Sequence, residues 1–158
     1  MRSKSSAEIV VSLLKKKGKT LCLAESITGG GLASAITDIA GSSEIFLGGF
    51  VTYSEKSKLK FLEIPKRLIT KHTVVSEEVA IDMANSIREQ FGADYAISTT
   101  GVAGPGSAYG QKAGTVWVAI ADRKNCVAIA LNISGDRATV RNSTIESALA
   151  AFSRILRA

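Results

Sequence analysis

Histidine is nearly absent from this chain: His72 is the only one in 158 residues. A Ser-His-Asp triad is therefore excluded unless His72 supplies its base, which turns attention to lysine as the metal-free way to activate a hydroxyl. His72 itself stands beside a predicted helix end and reads as a surface or capping residue. Cysteine is almost as scarce. Cys22 and Cys126 stand far apart in apolar, strand-like runs, and neither C-x-x-C nor H-x-x-x-H occurs. No metal site is expected from such spacing, and the two cysteines read as reduced core residues rather than a disulfide. Long apolar runs are missing too: none approaches the roughly 20 residues that cross a bilayer. The N-terminal segment is interrupted by Lys15–Lys17 and lacks the apolar stretch and cleavage site of a signal peptide. The expected location is the cytoplasm, with no membrane partner.

Acidic residues are outnumbered, 14 against 20 Lys and Arg, for a net charge of +6. The excess is scattered. Its densest groups, Lys15–Lys19 and Lys56–Lys71, carry no interleaved aromatics on which bases could stack. They read as solvated surface, and nucleic acid is not an expected partner.

What is present is an alternation of short elements. Ile9, Val10, Leu13 and Leu14 share one face of a predicted helix over 5–17, closed by Gly18. A buried strand follows at 20–24. Thr28 is placed to cap a helix through Leu32, Ala35, Ile36 and Ile39 that ends at Gly41. A second strand spans 45–53, and 54–61 makes one or two helical turns. Pro65 suits the first position of a short helix ending near Lys71. Ser76, with Glu77 and Glu78 behind it, opens a helix to Phe91 that Gly92 closes. A strand at 93–100 leads into the long loop GVAGPGSAYGQKAG. A hairpin of 115–121 and 126–133 and a final helix from Asp136 complete the chain. The expected fold is α/β: a single three-layer α/β/α domain over 1–158 with helices on both faces of a mixed β-sheet.

Four constellations could carry chemistry. The turn AESITGGG (24–31) joins a strand to a helix and matches neither G-x-G-x-x-G nor a P-loop. Its glycines serve either close packing or substrate approach, with Ser26, Thr28, Gly29 and Gly30 at a helix N-terminus suited to an anion. Ser43, Tyr53 and Lys58 flank one predicted strand. A desolvated lysine can act as a base, and a tyrosine could relay a proton to it from a serine; spacing alone is equally met by a surface lysine and loop serines. STTGVAGPGS (98–107) is a strand ending in a small-residue loop, the ligand edge of α/β sheets. There Thr100 could donate to substrate and the N–H of Gly101 could face an oxyanion, or the segment is a plain loop. In SGDR (134–137), Asp136 caps the last helix, and Arg137 offers a fork to phosphate or carboxylate or a surface ion pair.

Taken together, AESITGG, ITDIAGSSEIFLGGFVTYSEKSK, HTVVSEEVA, GADYAISTTGVAGPG, GTVWVAIA and SGDRATVR, in this order across nearly the whole chain, resemble the CinA C-terminal domain family, whose characterised members are nicotinamide-nucleotide amidases. The resemblance implies a compact α/β/α fold and hydrolysis of nicotinamide mononucleotide to nicotinate mononucleotide and ammonia, with no metal or organic cofactor. It implies Ser43 as nucleophile, Tyr53 as relay and Lys58 as general base, with Ser26 as the rival nucleophile. Thr100 and Arg137 match substrate-binding positions, and the turn at Thr28–Gly31 with Arg137 would orient the phosphate. Backbone N–H groups of 26–29 or 100–101 would hold the oxyanion. Departures are Ile27 where many relatives carry Cys, Ala113 where Pro is common before GTVW, and an atypical loop over 106–112, which bears on substrate preference. The resemblance also implies a stand-alone form that assembles as a homo-oligomer. The alternative is a non-catalytic domain that binds a nucleotide or a protein partner.

Overall fold

The computed structural model describes residues 2–158. Among them the order is α1 (Ser6–Lys17), β1 (Leu21–Glu25), α2 (Gly31–Thr37), β2 (Phe46–Val51), α3 (Glu55–Phe61), α4 (Lys66–His72), α5 (Glu77–Phe91), β3 (Tyr95–Gly101), β4 (Thr115–Ala121), β5 (Cys126–Asn132) and α6 (Arg137–Arg157), with a 3₁₀ turn at Ser42–Glu44 before β2. Local chemistry explains most of these boundaries. Ser5 and Glu8 form a reciprocal capping box that starts α1, and Gly18 ends it. Ser76 accepts the Val79 N–H at the head of α5, and Asp136 accepts the Thr139 N–H at 2.9 Å at the head of α6.

Two expectations are corrected. Thr28 does not cap α2: the helix begins at Gly31 behind Gly30 and stops at Thr37, short of Ile39. The Thr28 side chain is buried and its hydroxyl pairs instead with Thr99 Oγ1 at 2.7 Å. Pro65 precedes α4 rather than opening it.

The sheet order is β2-β1-β3-β4-β5. The first three strands run parallel, and β4 and β5 are antiparallel. This is the mixed sheet of a three-layer α/β/α fold. On one face Leu21 and Leu23 of β1 and Ile97 of β3 pack with Leu14 of α1, Leu32 of α2 and Phe152 of α6. On the other, Cys22 and Ala24 meet Leu62, Met83 and Ile87 beneath α5. The side-chain period of two thus sends successive residues of β1 into both cores. Each fully buried leucine contributes roughly 2 kcal/mol. Ala80 and Ala84 of α5 lie against Ala119 and Ala121, and these short side chains let the helix sit close to the sheet. Cys22 and Cys126 are both free thiols. No helix among the described residues is long and apolar enough to cross a membrane.

This topology brings several chain segments to one end of the sheet. The parallel strands β1, β2 and β3 deliver Ser26, Tyr53 and Gly101 there. Because β4 returns antiparallel, Gly101 faces Val116. Because β5 turns back again, Asn132 faces Thr115, so the head of α6 arrives at the same end.

Candidate active site

A cavity of about 240 Å³ opens at that end, lined by residues that include Ser26, Tyr53, Lys58, Thr100, Gly101 and Arg137. This is where ligands bind α/β sheets, outside the carboxyl ends of parallel strands.

Lys58 is its central feature. It is the one buried residue of α3 and is 1 % exposed. Ser54 caps the head of α3, and one turn on the lysine side chain runs inward. Its Nζ donates to Ser26 Oγ at 2.9 Å and to the Thr52 carbonyl at 2.7 Å. Among the described residues no carboxylate pairs with it. Burial pushes its pKa from 10.5 down to about 8, and Glu55 on the same helix opposes part of that fall.

Ser26 occupies the turn after β1 and is 7 % exposed. Its N–H donates to the Thr99 carbonyl at 3.0 Å. Gly29 and Gly30, at φ 55° and 97°, take the left-handed backbone that turns the chain into α2. Two residues outside the expected set hold this turn. The buried Glu25 carboxylate accepts the N–H groups of Leu32 and Ala33 at 2.8 and 3.0 Å. Arg141 donates to the carbonyls of Ile27 and Thr28 at 3.1 and 2.9 Å, and a Cβ on Gly29 would lie 3.2 Å from its guanidinium.

The expected anion site at Thr28–Gly31 is therefore corrected. The protein's own carboxylate already occupies the helix N-terminus, and Thr28, Gly29 and Gly30 do not line the cavity. Glu25→Ala is expected to cost about 3 kcal/mol, since it strips one buried and one half-buried N–H group of a charged acceptor. Glu25→Gln, which keeps one acceptor, should cost about half as much; urea unfolding of the three proteins measures both.

The expected Ser43–Tyr53–Lys58 set is not assembled. Ser43 is exposed in the 3₁₀ turn ahead of β2. Leu21 pairs with Phe46 and Glu25 with Val51, so Ser43 sits near the start of β1 while Lys58 sits beyond its end. That separation is roughly 15 Å along the strands. Tyr53 does line the cavity, but it is 59 % exposed, and its hydroxyl accepts from Arg137 Nη2 at 3.0 Å. The lysine reaches Ser26 directly, with no tyrosine between.

The remaining expected residues all reach the cavity. Thr100 is buried and gives its hydroxyl hydrogen to the Val74 carbonyl at 2.7 Å. Gly101 lets the walls close, for a Cβ there would come within 2.8 Å of the Thr115 carbonyl. Arg137 spans the rim, donating to the Gly104 carbonyl at 2.6 Å as well as to Tyr53. Glu25 and Arg141 carried faint signals in the sequence: an acid closing an apolar strand, and an arginine four residues after Arg137 on one helix face.

Comparison with known proteins adds to this geometry. The family model described as the CinA C-terminal domain matches residues 3–156. The chain belongs to the CinA C-terminal domain family. A CinA-like protein of Geotalea daltonii is 46% identical over 142 residues, 89% of this chain and 34% of that protein. A putative competence-damage inducible protein of Streptococcus pneumoniae is 44% identical, again over 89% of this chain and 34% of the relative. This CinA domain thus spans about a third of the length of these relatives. Among solved structures, a CinA superfamily protein of Klebsiella pneumoniae superposes with a TM-score of 0.93 at 32% identity, covering 98% of this chain and 99% of that one. One from Escherichia coli gives 0.90 at 30% identity, covering 100% and 95%.

Proposed function

We propose that this CinA domain is an amidohydrolase that deamidates nicotinamide mononucleotide to nicotinate mononucleotide and ammonia, with Ser26 as nucleophile and Lys58 as its base. The 2.9 Å contact between a buried amine and a buried hydroxyl, both lining one cavity, carries this reading. A lysine deprived of water holds its proton weakly, and its neutral form can take the proton of a neighbouring alcohol.

Neutral Lys58 accepts the Ser26 proton as Oγ attacks the carboxamide carbon. The carbonyl oxygen becomes an oxyanion. Among the described residues the N–H of Ile27, next after the nucleophile, has no acceptor; it is the group assigned to receive that charge. The Lys58 ammonium then returns the proton to the amide nitrogen, the C–N bond breaks and ammonia leaves an ester on Ser26. Water attacks the ester, gives its proton to Lys58 and frees the acid, and Ser26 recovers its own. Lys58 and Arg137 are the cations lining the cavity. With Lys58 committed to proton transfer, Arg137 would take the nucleotide phosphate in exchange for its contacts to Gly104 and Tyr53.

Incubation of the purified protein with nicotinamide mononucleotide tests the proposal. Ammonia release supports it, whereas saturable binding without release would support a nucleotide-binding module. The proposed base also dictates a pH profile. Lys58 must lose its proton to work, so kcat/KM should rise about ten-fold per pH unit below a limb near pH 8 and flatten above it. A profile flat from pH 6 to 9 would remove Lys58 as the base.

A further inference from the structure

Tyr109 stands at the tip of the loop between β3 and β4. Ala108 and Gln111 exchange both backbone hydrogen bonds, at 3.0 and 2.9 Å, around the two residues Tyr109 and Gly110. Their φ angles are 53° and 72°, so both central residues of this two-residue turn are left-handed. Such turns select Asn, Asp or Gly at the first central position. A tyrosine there is held against its backbone preference, and strain of this kind concentrates at ligand clamps.

The fold gains nothing visible from the ring in return. Tyr109 is 55 % exposed, belongs to none of the apolar clusters, and its hydroxyl has no hydrogen-bond partner among the described residues. The loop beneath it is nevertheless fastened. The Gln111 side-chain amide donates to the Val75 carbonyl, Arg137 donates to the Gly104 carbonyl, and the loop base is closed by Val102 and Gly114 at 2.7 Å. The ring is thus carried on a braced turn, and it lines the same cavity as Ser26 and Lys58.

We infer that Tyr109 stacks on the planar heteroaromatic ring that bears the scissile carboxamide and thereby selects aromatic over aliphatic amides. This rests on the amidase reading above. With the carboxamide carbon at Ser26, the ring attached to it extends from the buried dyad toward the rim. Tyr109 lines this cavity with its ring unpartnered among the described residues, on a turn that Gln111 holds independently of Arg137. Aromatic faces attract one another in offset or edge-on arrangements, and stacking of a ring on a side chain changes affinity by about ten-fold on its removal.

Tyr109→Asn removes the ring yet keeps a residue suited to the left-handed turn, so loss of stacking is separated from loss of loop shape. Calorimetric titration of nicotinamide mononucleotide into Ser26→Ala and into Ser26→Ala with Tyr109→Asn should show about a ten-fold weaker Kd in the second. In the otherwise wild-type enzyme, Tyr109→Asn should raise KM by a similar factor with kcat within about two-fold, and Tyr109→Phe should behave as wild type. Equal affinities with and without the ring overturn the stacking role, whatever the ammonia assay returns. A loss with Tyr109→Phe as large as with Tyr109→Asn overturns it as well, since the hydroxyl would then be the determinant. Ring-dependent binding in a protein that releases no ammonia keeps the stacking role and removes the amidase reading. Failure of both the Ser26→Ala and the wild-type protein to bind the nucleotide, with no ammonia released, overturns both.

Discussion

Replacing Lys58 by methionine is expected to lower kcat by at least about 10³-fold while raising the melting temperature. Both effects come from the same burial. Lys58 is 1 % exposed and has no carboxylate partner among the described residues, so the fold holds an ammonium largely out of water. The fall from 10.5 to about 8 corresponds to roughly 3 kcal/mol of destabilisation while the group is charged. Methionine fills a similar volume with no charge. It loses the contacts to Ser26 and Thr52, each about 1 kcal/mol. The net gain should be about 1–2 kcal/mol, which shifts Tm by about 2–6 °C in a domain of this size. The sign with pH follows from linkage. The unfolded chain keeps the lysine proton to about pH 10.5 and the folded one releases it near 8. Stability of the wild type should therefore climb as pH rises between these values, and the burial penalty is fully present below them. In Lys58→Met that climb should vanish. Thermal melts from pH 7 to 10 on both proteins check it, and a variant that melts below the wild type at pH 7 would contradict the account of a stored burial cost.

Ser26→Ala should abolish ammonia release to a similar degree, at least about 10³-fold, while Ser43→Ala should stay within about two-fold of the wild type. The contrast is large because only one serine has a base. Ser26 Oγ lies 2.9 Å from Lys58 Nζ, whereas Ser43 is exposed at the far end of β2. Steady-state kinetics on the two variants decide between them, and a serine-reactive probe should label the peptide carrying Ser26 alone. An inactive Ser43→Ala protein that still melts like the wild type would sink this assignment.

Much of the fold was legible because its signals are local. Ser76, Asp136, Gly18 and Gly92 each bound a helix through contacts within three or four residues. The alternation of strands and helices implied layers on both sides of a sheet. The boundaries that misled were those governed from a distance. Thr28 has the chemistry of a cap, yet Thr99 claims its hydroxyl across the sheet and Glu25 satisfies α2 from the end of the neighbouring strand. A local rule cannot anticipate a competitor that arrives through tertiary pairing.

The same division runs through the site. Residue chemistry alone, in a chain with a single histidine, was enough to pick out lysine as the base to consider, and Lys58, Ser26, Thr100, Gly101 and Arg137 were all visible as candidates. Their grouping was decided only by the parallel pairing of β1 with β2. Ser43 is nearer to Lys58 along the chain, but a strand separates them. Ser26 is 32 residues away and touches it, because parallel strands bring their ends, not their neighbours in sequence, to the same edge.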